Sequence, residues 1–440
     1  MKKFLKYFLL FLVLGVVYIV YQNYPRLDII TGFSAKSTAS VVFLADRTIA
    51  SVEEEDNNFP PINYADIKVD SNRKTASASV IGMKKRTAIY REGLGTVLIN
   101  DDFDESTEFL VPVRNKIAKN LPFPYGNLKQ KDTVFSNVNY DKLNKFVNNY
   151  FDSIHKTRSV LVIYKDQIIA EQNADGFNEN SLHLGWSMTK SITATIYGIL
   201  QKQEKLNVTD KVGIDTWRND ERSDITLNNL LQMNSGLEWV EDYNNISDVT
   251  KMLFIETNMA KVQEGKKRIS KPNKSWNYSS GTSNLLSGLL RNYFTTHQEY
   301  LDYWYGSLID RIGMNSMLIE TDLAGNYVGS SYGWASTRDW AKFGLLYLHK
   351  GNWNGEQLFD ASWIDYVTTP TATSNGEYGG HFWLNAGGKY PDAPKDVYSA
   401  NGYQGQRVFI IPSKDLVIVR MGLGSMDFNI MLKEIVESIE

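Results

Sequence analysis

The 440 residues contain no cysteine. That excludes disulfides, thiol nucleophiles, thiolate metal sites and a lipid-modified N-terminal cysteine, and leaves the compartment open. A charge excess of either sign is also missing: 47 Lys and Arg stand against 50 Asp and Glu. Such a balance lacks the basic footprint of a nucleic-acid partner, and none is expected. Histidines are few, and His155, His183, His297, His349 and His381 are not paired at ligand spacing. We therefore expect neither a metal nor an organic cofactor. No small-residue cleavage pattern follows the apolar N-terminal run, where the sequence reads YQNYPRLD, so a removed signal peptide is disfavoured. No internal repeat is visible.

What the N-terminus does have is Lys2, Lys3 and Lys6 ahead of an apolar run from Phe8 to Val20, flanked by Tyr18, Tyr21 and Tyr24. About 18 residues of this kind can cross a bilayer as a helix. The tyrosines sit where an interfacial belt would lie, and the early lysines orient the helix with the remainder of the chain outside the cytoplasm. Residues 1–24 are thus expected to be a membrane anchor. GFSAKSTASVVFLADR follows, ending in a strand-like run, then an acidic Asn/Pro-rich loop over 52–66, then alternating segments with glycine turns. These features predict a small β-rich subdomain over 25–110. Residues 111–139 read as a connector.

From 140 onward the pattern is mixed. YDKLNKFVNNYFDSIH has helical spacing and SVLVIYKDQIIAEQNA reads as a hairpin. Helical pattern with long loops fills 190–365. Strand-like runs return in YGGHFWLN, QRVFIIPS and LVIVRMGL, and a terminal helix closes the chain. Strands at both ends with helices between predict an α+β domain over 140–440: an antiparallel sheet flanked by helices, with an all-helical subdomain inserted.

Three segments can carry chemistry. In SMTKS, Ser187 and Lys190 are three residues apart at the start of a helical stripe. Residues i and i+3 share a helix face, so the lysine amine can reach the serine hydroxyl. The helix N-terminus would favour a developing oxyanion, and burial would favour a neutral amine base. The same letters also describe a serine N-cap with a surface lysine one turn on. Next comes Tyr278-Ser279-Ser280, ahead of a helix expected from Thr282. Its phenol can shuttle a proton or simply pack. Third is ANGYQGQRVFIIP, a glycine-bounded turn into a strand. Gly402 and Gly405 permit close backbone approach, and the Gln406 N–H can join that of Ser187 as an oxyanion donor. Equally, this is an ordinary glycine-rich hairpin.

Together, and in this order, the three segments resemble the serine β-lactamase and penicillin-binding-protein superfamily. The likeness is greater to its class C-like esterase and amidase branch, in particular to 6-aminohexanoate-dimer hydrolase. HLGWSMTKSITATIYGIL, ITLNNLLQMNSGLEWVEDY, YSSGTSNLL, YGWASTRDWAKFGLLYLHKGNWNGEQL and GYQGQRVFIIP carry it, over roughly residues 140–440. The resemblance implies a β-lactamase/transpeptidase-like fold and a small-molecule amide or ester substrate. It implies Ser187 as the acylated nucleophile, Lys190 as its base and Tyr278 as the proton relay to the leaving group and later from water. Gly405 would be the glycine of the third motif, with Gln406 N–H in the oxyanion hole. Tyr243, in WVEDY, would touch the substrate amide. Two positions depart from the pattern: Ser280 stands where many members have asparagine, and Tyr403 where a lysine or histidine is usual. Without that cation, carboxylate recognition is weakened, which favours an amidase or esterase over a β-lactamase or transpeptidase. The alternatives are a penicillin-binding-type receptor, or a D-alanyl carboxypeptidase or β-lactamase with slow or no turnover.

Gly329-Ser330-Ser331-Tyr332-Gly333 also matches the G-x-S-x-G nucleophile elbow. An elbow needs a strand before it and a helix starting at its serine. The preceding LAGNYVG is a poor strand, and the next helix is expected at Ser336, so this segment reads as a loop. His381, in YGGHFW, reads as a packed histidine.

Overall fold

The computed structural model describes residues 2–439 apart from 101, 102, 105, 117–119 and 127. The chain forms two compact units. One comprises 1–91, 96–107 and 240–257, the other 92–95, 108–239 and 258–440. Residues 240–257, which the sequence reading leaves inside the hydrolase portion, thus group with the N-terminal unit.

The N-terminal unit begins with helix α1 (Lys2–Asn23), the segment expected to be the anchor. At about 1.5 Å per residue it is roughly 33 Å long, close to the ~30 Å of a bilayer's hydrocarbon. Phe4, Phe8, Leu9, Phe11 and Leu14 are exposed on it. Helix α2 (Arg26–Ala39) continues through a wider turn over Ser40–Leu44. By length and composition, Arg26–Leu44 is the described helix apolar enough to cross a membrane, and more than half of it is buried.

This corrects the strand-like reading of VVFL. The β-branched run is helical because the small residues before it pack closely on a sheet. Ala35 and Ala39 of α2 meet Ala76, Ala78 and Ala88. Those alanines belong to a four-stranded sheet in the order β1 (Asp66–Asp70), β2 (Thr75–Val80), β3 (Met83–Arg91), β4 (Gly95–Ile99). The segment 240–257 joins this unit through Phe254, whose Cβ lies 3.0 Å from where a Cβ on Gly32 would stand.

The larger unit is built on six antiparallel strands. In chain order they are β5 (Thr157–Tyr164), β6 (Gln167–Asn173), β7 (Trp383–Leu384), β8 (Tyr398–Asn401), β9 (Arg407–Ile411) and β10 (Leu416–Gly422), arranged β7-β8-β9-β10-β5-β6. The first strand of the unit therefore pairs with the last, Ile418 opposite Val162. Strand alternation gives the sheet two apolar faces. Val160, Val162, Phe409 and Ile418 face one way, with helix α3 (Tyr140–Asn148) and the C-terminal helix against them. Leu161, Ile163, Val408, Ile410, Val417 and Val419 face the other, toward the helical insertion. That insertion holds α4 (Thr189–Lys202), α5 (Ser280–Leu289) and α6 (Thr337–Leu348).

The expected hairpin is β5–β6, turning at Lys165 and Asp166, both at positive φ. The expected strand over 378–385 is only Trp383–Leu384. His381 takes φ +62°, and Gly379 N donates to Phe382 O at 2.9 Å, so the first half of that segment is a turn.

Candidate active site

Ser187 lies in a single 3₁₀ turn, Trp186–Met188, that leads into α4. The approach is tight. A Cβ on Gly185 would stand 2.3 Å from the Trp340 ring, and one on Gly402 would stand 2.1 Å from Gly185 O. Two glycines thus let the turn before Ser187 touch the end of β8. Trp186 has φ +47°, a conformation costly for a bulky side chain and held by its surroundings. Its ring packs at 5.7 Å on Tyr403 and 6.1 Å on Tyr332. The N-cap of α4 is Met188, with no side-chain cap bond. Ser187 is not a helix-capping serine.

Lys190 is 1 % exposed. Its Nζ donates to Ser187 Oγ, Ser280 Oγ and Ser330 O, each at 2.9 Å. An ammonium has three N–H groups, so these acceptors match its capacity. A neutral amine has two N–H groups and a lone pair, and could then accept the Ser187 proton. Ser280, read from the sequence as a substrate contact, is fully buried, and its hydroxyl accepts from Lys190. Its backbone is fixed by the cap of α5, where Ser279 Oγ accepts from Thr282 N at 2.9 Å. The helix thus begins two residues earlier than the sequence suggests.

Tyr278 stands just ahead of α5. Lys190 Nζ is 4.9 Å from the centre of its ring. The ring also meets Trp383 at 5.2 Å and Tyr378 at 5.7 Å.

The third segment forms the turn Tyr403–Gly405 between β8 and β9. Gly405 has φ +81°, and a Cβ there would stand 2.6 Å from both Arg420 Nη1 and Gly424 O. Gln406 has its side chain locked to the backbone: Oε1 accepts from Gly422 N at 2.9 Å, and Nε2 donates to Gly422 O and, at 3.1 Å, to Tyr403 O. Its own N–H has no backbone acceptor among the described residues. Tyr403 is 38 % exposed, and partial burial raises its phenol pKa.

Three contributors were not foreseen. The first is Ser330, whose carbonyl holds Lys190. It lies in the G-x-S-x-G look-alike, a buried loop followed by a helix capped at Ser336. The second is Arg420, fully buried in β10. It donates to Gln404 O at 3.0 Å, Gly405 O at 3.1 Å and His155 O at 2.6 Å, bracing the third-motif turn. Burial, then neighbouring Arg407 and Arg158, push its pKa down to about 9. An arginine inside LVIVRMGL was the available signal. The third is the extent of the packing around His381. Its Nδ1 lies 2.7 Å from Leu231 O and its Nε2 2.9 Å from Ser283 Oγ, while its carbonyl accepts from Ser191 Oγ at 2.8 Å. Burial first, and Lys190 in addition, push its pKa down to about 3.

Tyr243 belongs to the other unit, where its hydroxyl donates to Glu241 at 2.9 Å. Among the described residues, no group of three or more His, Asp or Glu side chains is placed to hold a metal ion.

This fold, with serine, lysine and tyrosine gathered where the helical insertion meets the sheet, defines a class of hydrolase-related proteins. Residues 154–422 match the Beta-lactamase family model, more than half of the chain, and the protein belongs to that family. No protein of curated function matches the sequence. Among solved structures, the chain is similar to a 6-aminohexanoate-dimer hydrolase homologue from Bacillus anthracis, at 19 % identity and TM-score 0.56, covering 67 % of this chain and 80 % of that one. A family VIII carboxylesterase gives 15 % identity and TM-score 0.52, over 68 % and 96 %. A penicillin-binding protein from Bacillus halodurans gives 15 % and 0.50, over 66 % and 98 %. At these identities the likeness is one of fold.

Proposed function

We propose that the protein is a serine hydrolase that cleaves an amide or ester bond through an acyl-enzyme on Ser187. The observation that carries this reading is the 2.9 Å contact from buried Lys190 Nζ to Ser187 Oγ. Lys190, as the neutral amine, takes the hydroxyl proton while Oγ bonds to the substrate carbonyl carbon. The carbonyl electron pair moves to oxygen, which the N–H groups of Ser187 and Gln406 receive. The C–N or C–O bond then breaks, and the leaving atom takes a proton from Tyr278, which regains one from Lys190. Water attacks the acyl ester through the same groups, releasing the acid and restoring Ser187. Ser280 and the Ser330 carbonyl orient the amine. Gly405 and Tyr403 border the acyl group.

Tyr403 in place of a cation supports a substrate without a carboxylate at that point. It also supports a second reading, a penicillin-binding-type receptor that is acylated and turns over slowly. Helix α1 anchors the protein, with the hydrolase unit outside the cytoplasm; its length and exposed apolar side chains support this.

Labelling by a fluorophosphonate probe tests the core of the reading. The native protein should label once and Ser187→Ala not at all; retained labelling of that variant would falsify the assignment. Burst kinetics with a chromogenic ester separate the two readings. Steady turnover after the burst supports the hydrolase, and one equivalent followed by silence supports the receptor.

A further inference from the structure

We propose that the leaving side of the substrate carries an uncharged aryl group, held against an aromatic wall that begins at Tyr278. The inference rests on the Ser187, Lys190 and Tyr278 roles above and names the substrate class they serve.

The wall has four rings. Tyr278 meets Trp383 at 5.2 Å and Tyr378 at 5.7 Å, Tyr378 meets Trp383 at 5.2 Å, and Trp276 meets Tyr378 at 5.4 Å and Trp383 at 6.1 Å. Tyr378 is buried at 1 % exposure and braces the others from behind. Trp276, Tyr278 and Trp383 are partly open. Two separate segments supply the rings, and both are tied down. Trp276 N donates to Thr373 Oγ1 at 2.8 Å, and Tyr378 O accepts from Thr371 N at 2.7 Å. Gly379, beside Tyr378, has no room for a Cβ, which would stand 2.1 Å from Val367 O. A surface so fixed loses little conformational freedom when a flat group stacks on it.

Direction follows from the chemistry. If Tyr278 hands its proton to the leaving atom, the leaving group starts at Tyr278, and the surface continuous with that ring is what it meets. Charge argues for a neutral group. Lys389 lies 5.3 Å from the Trp383 ring centre, but its amine is paired with Glu377 at 2.8 Å. Arg407 donates to the carbonyls of Gly402 at 3.1 Å and Gln406 at 2.8 Å, and its Nε, which has no hydrogen-bond partner among the described residues, is closed off from solvent. Lys190 already has three acceptors. A carboxylate on the leaving group would therefore lose water and find its nearby cations engaged. A benzene ring could stack on the partly open Trp276, Tyr278 and Trp383 rings, each such contact worth up to about tenfold in transition-state binding.

The test uses the full chain and three acetate esters, of benzyl alcohol, ethanol and glycolate. Benzyl alcohol and ethanol are similarly poor leaving groups, and kcat/KM reports the acylation step in which the leaving group is still bound. Benzyl acetate should exceed ethyl acetate by roughly 10- to 100-fold, with the glycolate ester the slowest. Trp276→Ala should cut the benzyl-to-ethyl ratio about fivefold or more. Trp276→Leu, which keeps more of the packing, should also lower it. The ratio is taken within one preparation, with active sites counted by fluorophosphonate. A ratio near one in the native protein, a ratio unmoved in both variants, or a preference for the glycolate ester each overturns the inference and leaves Ser187 acylation standing. Absence of fluorophosphonate labelling defeats the hydrolase reading itself, and this inference with it.

Discussion

Ser280 Oγ lies 2.9 Å from Lys190 Nζ, with both groups buried. In the resembling enzymes an asparagine commonly stands at this position. Here a shorter hydroxyl stands within hydrogen-bond distance of the lysine. Ser280→Ala removes one of three acceptors from a buried amine, a loss of about 1–3 kcal/mol. Fluorophosphonate labelling should slow by roughly 10- to 100-fold. Labelling at the native rate would mean that Ser280 does not position the base.

Lys190→Met keeps most of the volume and removes the base. General-base contributions are typically about 10²–10⁴ in rate, and a loss of that size is expected in labelling and in ester turnover. The variant also strands two buried acceptors, Ser280 Oγ and Ser330 O, so a fall in melting temperature should accompany it. A variant that folds and still acylates at near-native rate would assign the base elsewhere.

How far the sequence reached depended on the range of the interaction. The i, i+3 spacing placed Lys190 on the face of Ser187, because helix geometry is local. The apolar runs around Lys165-Asp166 announced a hairpin, and a second apolar run in LVIVRMGL supplied the strand that pairs with its first half. Acceptors from distant loops were not legible. Nothing near Ser330 says that its carbonyl meets a lysine 140 positions earlier, since any residue supplies that carbonyl. The turn that continues α2 was misread for the converse reason. Val41-Val42-Phe43-Leu44 has strand propensity, and the Ala-on-Ala contact that keeps the region helical is tertiary.

The buried His381 should leave a signature in acid stability. Its pKa is about 3 in the folded protein, against 6.5 for the free side chain. Between these values the unfolded chain binds a proton that the folded chain does not. Its contribution is therefore fully present above about pH 6.5 and is lost as pH falls toward 3, at about 1.4 kcal/mol per pH unit. His297 is shifted the same way by burial, so the comparison must be with a variant. In His381→Asn the left-handed backbone is tolerated and the amide can still donate to Leu231 O. Urea midpoints from pH 4 to 6.5 should fall less steeply in the variant by about one proton's slope. Parallel curves would show that His381 is protonated in the fold or does not titrate there.

Gly402→Ala separates backbone alignment from chemistry. Gly402 has φ −121°, open to any residue, so the obstacle is purely spatial: the added Cβ would stand 2.1 Å from Gly185 O. Either the turn before Ser187 or the end of β8 must move by about 1 Å to restore contact distance, and that motion shifts Ser187 N–H relative to Gln406 N–H. Oxyanion donors displaced on this scale cost about 10²–10³ in rate. Ester turnover should fall by that factor, although Ser187, Lys190 and Tyr278 are all retained. The amine environment is further from the change, so the pH dependence of the residual rate should follow the native profile. A shifted pH profile would place Gly402 against the base, and an unchanged rate would remove Gln406 N–H from the oxyanion hole.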